Sequence, residues 1–349
     1  MEIEKQKIYN PVIDILRTIS IFAVILIHTT TRTLEITSYN LLKTPWTLFL
    51  NQAARFAVPL FFMISGFVLE LNYHLHESYL TYLKKRFSRI FVPYVFWSLI
   101  YYFFVYYKGR DPNFLNSLIF GDASYQLYFI PSLLIFYLLF PLLHKSFKII
   151  GDKWIIIALG LFELFLLYYD YNLRPLPFYY PLNIALLNYF VFILGMALAR
   201  NQERFLNFIK KWKLILFAGT AIFAFYVFYE GLTRYIATYN SGVFYSSWRP
   251  SVLIYTIFFA GFAYWIFNRK LKFISVIKTF SKLSFFVFFT HIIFLEVLWY
   301  GFLKHLFETN KSIAYALWFD PLYFFTVTIV SFGLAFIVHK IPYLSKLTG

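Results

Sequence analysis

Apolar runs close to the length of a membrane-crossing helix recur along this chain, separated by short polar breaks. An α-helix needs about 20 such residues to cross the roughly 30 Å hydrocarbon core of a bilayer. Inside lipid every backbone N–H and C=O must be satisfied within the protein, so a chain patterned this way has little choice but to form helices. The pattern gives ten spans, at approximately 11–33, 48–71, 90–107, 125–143, 153–170, 181–199, 213–231, 249–268, 283–303 and 321–340. Composition agrees. The 349 residues are 60% hydrophobic and 14% charged, against about 45–50% and about 25% in soluble domains. The expectation is an all-α polytopic membrane protein, its ten helices forming one bundle and residues 1–349 a single integral membrane domain.

Asn10-Pro11 suits the start of the first span, with Asn as cap and Pro in the first turn. Pro59 lies inside the second, where neighbouring helices can satisfy the carbonyl it frees. The first span is too long for the core of a cleaved signal, carries Arg17 and is followed by no small-residue cleavage site. The chain has no cysteine, which removes disulfides, thiolate nucleophiles and Cys-ligated metals together.

Basic residues set the orientation. With both termini in the cytoplasm, 21 of the 32 Lys and Arg fall in cytoplasmic segments and 9 in the opposite ones, Arg17 and Arg55 lying within spans. That bias is the positive-inside pattern of a plasma-membrane protein. The net charge of +16 is therefore read as topology and attraction to lipid headgroups, with no nucleic-acid partner expected. The loops are short, no extramembrane domain fits between spans or after the last, and no internal repeat of the transporter kind is evident.

Charges inside spans cost about 2.5–3.5 kcal/mol each on insertion scales and need a reason. Arg17 and His28 are eleven residues apart, about three turns and 20° in phase, so they share a helix face. Asp14, three residues before Arg17, is placed to pair with it. Taken singly, Arg17 reads as a snorkelling cation and His28 as a hydrogen-bonded interior histidine. Together they read as a stripe, with His28 roughly 16 Å deeper than Arg17.

Other residues carry plainer readings. Arg55 reads as an interface anchor near the outer end, Ser65-Gly66 as small residues for close helix packing, and Glu70 as a solvated carboxylate. Lys85, Arg86 and Arg89 precede the third span, where positive-inside anchoring competes with an anion clamp of paired guanidinium forks. His291 and Glu296 are interior candidates about 140° apart on the ninth span. The histidines do not group as metal ligands beyond the weak His74-x-His76, and no metal is expected.

Set in order, these motifs resemble a known family. Asp14-x-x-Arg17 with His28 ten residues on resembles the first-helix signature of the membrane-bound acyltransferase family 3. Val58–Phe67 resembles its second-helix motif, and Lys85-Arg86-Phe-Ser-Arg89 with Pro93 its cytoplasmic basic motif. Leu127–Pro131 and Thr290-His291 add to the likeness, with Tyr128 where the family often has Trp. The resemblance covers nearly the whole chain.

It implies transfer of an acyl group, often acetyl and sometimes succinyl, from cytoplasmic acyl-CoA to a hydroxyl of a cell-envelope glycan or lipid-linked sugar. Acyl-CoA is then a co-substrate, and no cofactor stays bound. Under that resemblance Arg17 and His28 are the essential pair and Arg86 and Arg89 contact the donor; beside them we expect Asp14 among the catalytic residues, Lys85 at the donor, and Arg55, Ser65 and His291 at the acceptor. With no fused esterase-like domain, the stand-alone subgroup that modifies surface polysaccharides is the nearest fit. His28 would act as general base or as a transient acyl carrier, and the residues leave that choice open. The rivals are a transporter or flippase for a lipid-linked saccharide, and a scaffold for a polysaccharide synthase, which leaves the cost of Arg17 and His28 unexplained.

Overall fold

The computed structural model of the chain describes residues 10–37, 43–73, 78–107, 113–238, 242–269 and 273–341. Among the described residues the regular structure is entirely helical. The α-helices are α1 (Pro11–Thr37), α2 (Pro45–Ala53), α3 (Ala57–Leu71), α4 (Tyr79–Tyr107), α5 (Phe114–Phe120), α6 (Phe129–Lys145), α7 (Phe147–Ile150) and α8 (Lys153–Asn172). They continue as α9 (Tyr180–Leu186), α10 (Tyr189–Arg200), α11 (Gln202–Thr238), α12 (Gly242–Tyr245), α13 (Pro250–Phe267), α14 (Ile274–Leu298), α15 (Lys304–Thr309) and α16 (Phe319–Lys340).

Among the described residues eight helical segments are long and apolar enough to cross a membrane, and the pair α9–α10, bent by 48°, makes a ninth. The 17-residue apolar α6 accounts for the remaining segment read from the sequence. The protein is an all-α polytopic membrane protein.

Local chemistry explains where helices start and break. The side chain of Asn10 accepts from the N–H of Val12 at 3.0 Å, capping α1 ahead of Pro11. Asp152 does the same for α8, accepting from Trp154 N–H at 2.8 Å. The second span is not the continuous helix expected over 48–71: it is interrupted at residues 54–56, between α2 and α3. Pro59 supplies the reason, because its ring opposes the carbonyl four residues earlier, that of Arg55. The third span begins earlier than expected, so that Lys85, Arg86 and Arg89 lie on α4 itself. At the far end of α14 the helix widens into a π-turn over Trp299–Leu303 before α15, a distortion common where a helix serves a site.

The chain divides into two compact units. The first contains residues up to Asp14 with Phe61–Phe208, the second Ile15–Leu60 with Ile209 onward. In the first, α3 and α10 cross at small residues. A Cβ on Gly66 would fall on the backbone carbonyl of Phe192, and one on Gly195 on that of Met63. Helices in lipid associate by such close backbone approach, since apolar side chains gain nothing by leaving the tails. The same unit buries Glu163 of α8, whose carboxylate accepts from Phe190 N–H at 2.6 Å and so serves the open N-terminus of α10. In the second unit Phe22, Phe280 and Phe332 pack together, with ring centres 4.8 to 5.9 Å apart.

The glycine crossing is testable. Gly66→Val forces α3 from α10 and should lower stability by about 1–3 kcal/mol, read as a lower melting temperature in detergent. Gly333→Ala, where an added Cβ meets nothing within 4 Å, is the control. Equal melting temperatures for the two variants would show that the crossing is not close-packed.

Candidate functional site

The polar stripe predicted on the first helix is present and longer than expected. α1 continues to Thr37, so Arg32 and Glu35 are helical and join the face that carries Arg17 and His28. At 100° per residue these four lie within about 60° of one another. Arg17 and His28 keep part of their surface accessible, whereas Ile27, Thr29 and Thr30 beside His28 are buried. Between Arg17 and His28 the same face is apolar and buried, formed by Ile21, Val24 and Ile25.

α14 supplies the facing residues. Arg17 donates to Ser281 Oγ at 3.2 Å. The imidazole of His28 lies 5.4 Å, centre to centre, from that of His291. Arg32 donates to Glu296, and its guanidinium sits 5.7 Å from the Trp299 ring centre. The two hydrogen bonds share a sequence separation of 264 residues, so α1 and α14 run parallel and in register. Helices running the same way are what first and ninth spans of an alternating bundle must be. The five-residue step that separates His291 from Glu296 does not disperse them, because the long Arg32 side chain reaches across to Glu296.

His291 is fully buried, and its Nδ1 lies 2.9 Å from the carbonyl of Val287. A carbonyl only accepts, so Nδ1 carries the proton and Nε2 of the neutral ring presents a lone pair. That Nε2 is shielded from solvent and has no hydrogen-bond partner among the described residues.

Around this pair lies a buried polar network. Arg55 is 4% exposed, which corrects its reading as an interface anchor. It occupies the break between α2 and α3, donates from Nε to Asn51 Oδ1 at 3.2 Å, and donates from Nη1 to the carbonyl of Tyr245. Asn51 in turn donates to the Ile27 carbonyl and to the Thr30 and Thr31 hydroxyls, each at 3.0 Å, tying α2 to α1 beside His28. The network continues through Gln52 to Arg249, whose Nη1 is 3.3 Å from Glu230 Oε2. Asp320 of α16 accepts from Thr33 at 2.7 Å and Thr47 at 2.5 Å. The charged groups acting on His28 are Arg55 and Arg32.

Arg249 and Arg32, counted from sequence as outer-segment charges, thus belong to the interior of the second unit. For Asn51 the available signal was its spacing of one turn before Arg55. For Arg249 it was an Arg directly before Pro250, the first residue of α13.

The remaining predicted residues lie in the first unit. Ser65 donates to the carbonyl of Phe61 in its own helix at 2.8 Å, as a packed helical serine does. Lys85 and Arg89 are exposed on α4, and Arg86 is half-buried with its guanidinium 5.8 Å from the Tyr82 ring centre. Asp14 falls at this unit's edge. Glu70 is not solvated: it pairs with Arg200 and lies 3.0 Å from His144 Nδ1, joining the ends of α3, α6 and α10. His74 and His76 lie outside the described residues.

Comparison with known proteins gives the family. Among similar curated proteins are the probable poly-beta-1,6-N-acetyl-D-glucosamine export proteins of two staphylococci. That of Staphylococcus aureus (strain MSSA476) is 24% identical over 283 residues, 75% of this chain and 75% of its own length. That of Staphylococcus epidermidis is 25% identical over 281 residues, 75% of this chain and 74% of its own. No solved structure matches. The acyltransferase domain of the family-3 type matches residues 10–340, and the chain belongs to the membrane-bound acyltransferase family 3.

Proposed function

We infer that this acyltransferase moves an acyl group, acetyl in the simplest case, from acyl-CoA to a hydroxyl of a cell-envelope saccharide or its lipid-linked precursor. The observation carrying this reading is the placement of His28: a partly accessible imidazole inside a membrane bundle, facing a second imidazole, with Arg32 and Arg55 as its charged neighbours. A metal-free acyl transfer needs a base for the attacking hydroxyl and positive charge for the oxyanion that forms on the thioester carbon.

The step balances as follows. The saccharide oxygen gives its proton to an imidazole nitrogen of His28 and bonds to the acyl carbon. The carbonyl electrons move onto oxygen, where a guanidinium holds them. They then return to expel the CoA thiolate, which takes the proton from His28. In the two-step variant His28 itself attacks, releases CoA and carries the acyl group as an acyl-imidazole until the saccharide arrives. Lys85, Arg86 and Arg89 hold the phosphates of the donor, for which guanidinium forks are suited. Arg17, fixed by Ser281, stands three turns from His28 and steers the donor. The saccharide assignment draws support from the polysaccharide in the staphylococcal relatives' names. Their word "export" favours a second reading, in which the same buried groups pass a saccharide across the membrane without chemistry.

Radiolabel transfer from acetyl-CoA in inside-out vesicles separates the two. Wild type should label an envelope saccharide or lipid-linked sugar, and His28→Ala should lose at least about 100-fold of that rate at equal protein level. Retained labelling in His28→Ala excludes both roles of His28. Saccharide translocation with no label from any acyl-CoA favours export. A second prediction concerns the donor. Arg86→Ala and Arg89→Ala should each raise KM for acyl-CoA roughly tenfold, a loss of about 1.4 kcal/mol of binding, with kcat little changed. A fall in kcat at unchanged KM would take the motif out of donor binding.

A further inference from the structure

We propose that His291 is the positioning residue for His28, the middle member of a chain running from the Val287 carbonyl through His291 and His28 to the acceptor hydroxyl. The proposal rests on His28 being the base, and adds what makes it one.

A neutral imidazole in a bundle interior can carry its proton on either nitrogen, and only one tautomer leaves the lone pair towards the hydroxyl. Something must choose. In hydrolase triads a carboxylate does so by accepting from the far ring N–H of the histidine. Glu296 of the facing helix α14 is engaged by Arg32. The acceptor at hand is His291. Its Nδ1–H is committed to the Val287 carbonyl at 2.9 Å. Its Nε2 therefore cannot donate while the ring is neutral, and it is the one ring nitrogen of His291 left to accept. It is buried without a partner among the described residues, a state that costs about 1–3 kcal/mol and calls for an explanation.

The rings are 5.4 Å apart, inclined by 35°. At that separation a nitrogen of one ring reaches a nitrogen of the other once the two ring edges face each other. Accepting the N–H of His28 satisfies the orphaned Nε2, fixes the His28 tautomer, and leaves its other nitrogen as the base. When His28 takes the hydroxyl proton, the imidazolium keeps the hydrogen bond to a neutral acceptor and, through it, to a backbone dipole. The proton stays on His28 and His291 remains neutral, so no further co-reactant is needed. The backbone carbonyl is that of the preceding turn of α14, which ties the orientation to the helix itself.

The test compares His291→Phe with His291→Gln in membranes at matched protein level, alongside His28→Ala. Phe fills the space and accepts nothing, whereas Gln can accept through its side-chain carbonyl. His291→Phe should lower kcat about 100-fold or more with KM for acyl-CoA and acceptor nearly unchanged. His291→Gln should recover at least about tenfold of that loss. The proposal is overturned if His291→Phe keeps near wild-type kcat, or if His291→Gln is no better than His291→Phe. A loss that appears in KM instead of kcat also overturns it, and makes His291 a binding contact. Should His291→Phe fail to accumulate, His291→Gln decides alone: kcat lowered by between about twofold and about 100-fold with unchanged KM supports the proposal, and either wild-type kcat or a fall below about one-hundredth overturns it. An active His28→Ala would instead remove the base on which the proposal stands, an outcome distinct from all of these.

Discussion

Lipid solvates neither charge nor backbone, and the whole arrangement of the second unit follows from that refusal. Arg55 and Arg249 are buried, Arg17 and Arg32 half-buried, and each is met by protein oxygen: Asn51, Glu230, Ser281 and Glu296 in turn. Leaving one such cation uncompensated costs several kcal/mol, and a buried pair rarely repays more than its own desolvation. Four of them in one unit are thus a poor way to gain stability. They are a good way to fix geometry, because each guanidinium fork accepts only a narrow set of partner positions.

That argument explains why the helices lie as they do. The parallel register of α1 on α14 is pinned at both ends by Arg17–Ser281 and Arg32–Glu296. Between those pins the two histidines have no freedom to drift along the helix axes. The break between α2 and α3 has the same logic. A continuous helix would satisfy its own carbonyls and present Arg55 on one rigid face. The interruption ahead of Pro59 lets Arg55 turn inward to Asn51 and the Tyr245 carbonyl, and lets Asn51 hold the turn of α1 that bears His28.

How much of this was legible in the sequence depends on the range of the interaction. The spans are written in local hydropathy, and the Arg17–His28 face in helical period, so both could be read directly. The partner of a face is not local. Nothing near His28 in the chain names His291, which lies more than half the chain away, and the 140° between His291 and Glu296 argued against grouping them. Arg55 was misread for a related reason. A cation close to a predicted span end is normally at an interface, and only the break in the helix, a consequence of Pro59 acting on the carbonyl of Arg55, turns it inward. Arg249 was masked by its place at a span boundary, where charge is ordinary. Glu70 was masked likewise, its partners being the ends of two later helices.

The stretch of α1 between Arg17 and His28 completes the physical picture. Ile21, Val24 and Ile25 place an apolar layer on the polar face, between the guanidinium at one end and the imidazoles at the other. Few side-chain arrangements would serve both acyl transfer and membrane integrity. A continuous polar stripe would let protons and ions follow the face from one side to the other. An apolar layer opposes them with the desolvation cost of charge, while an uncharged thioester arm or a saccharide hydroxyl meets no such barrier. The roughly three helical turns between Arg17 and His28 leave Arg32 and Arg55 as the cations that act on His28, since charge–charge coupling falls with distance. On the reading proposed above, the charged part of a donor would stay outside the layer and only uncharged groups would reach the histidines. Under that condition His28 could work as a base, because the proton it accepts would be the only new charge the site has to hold.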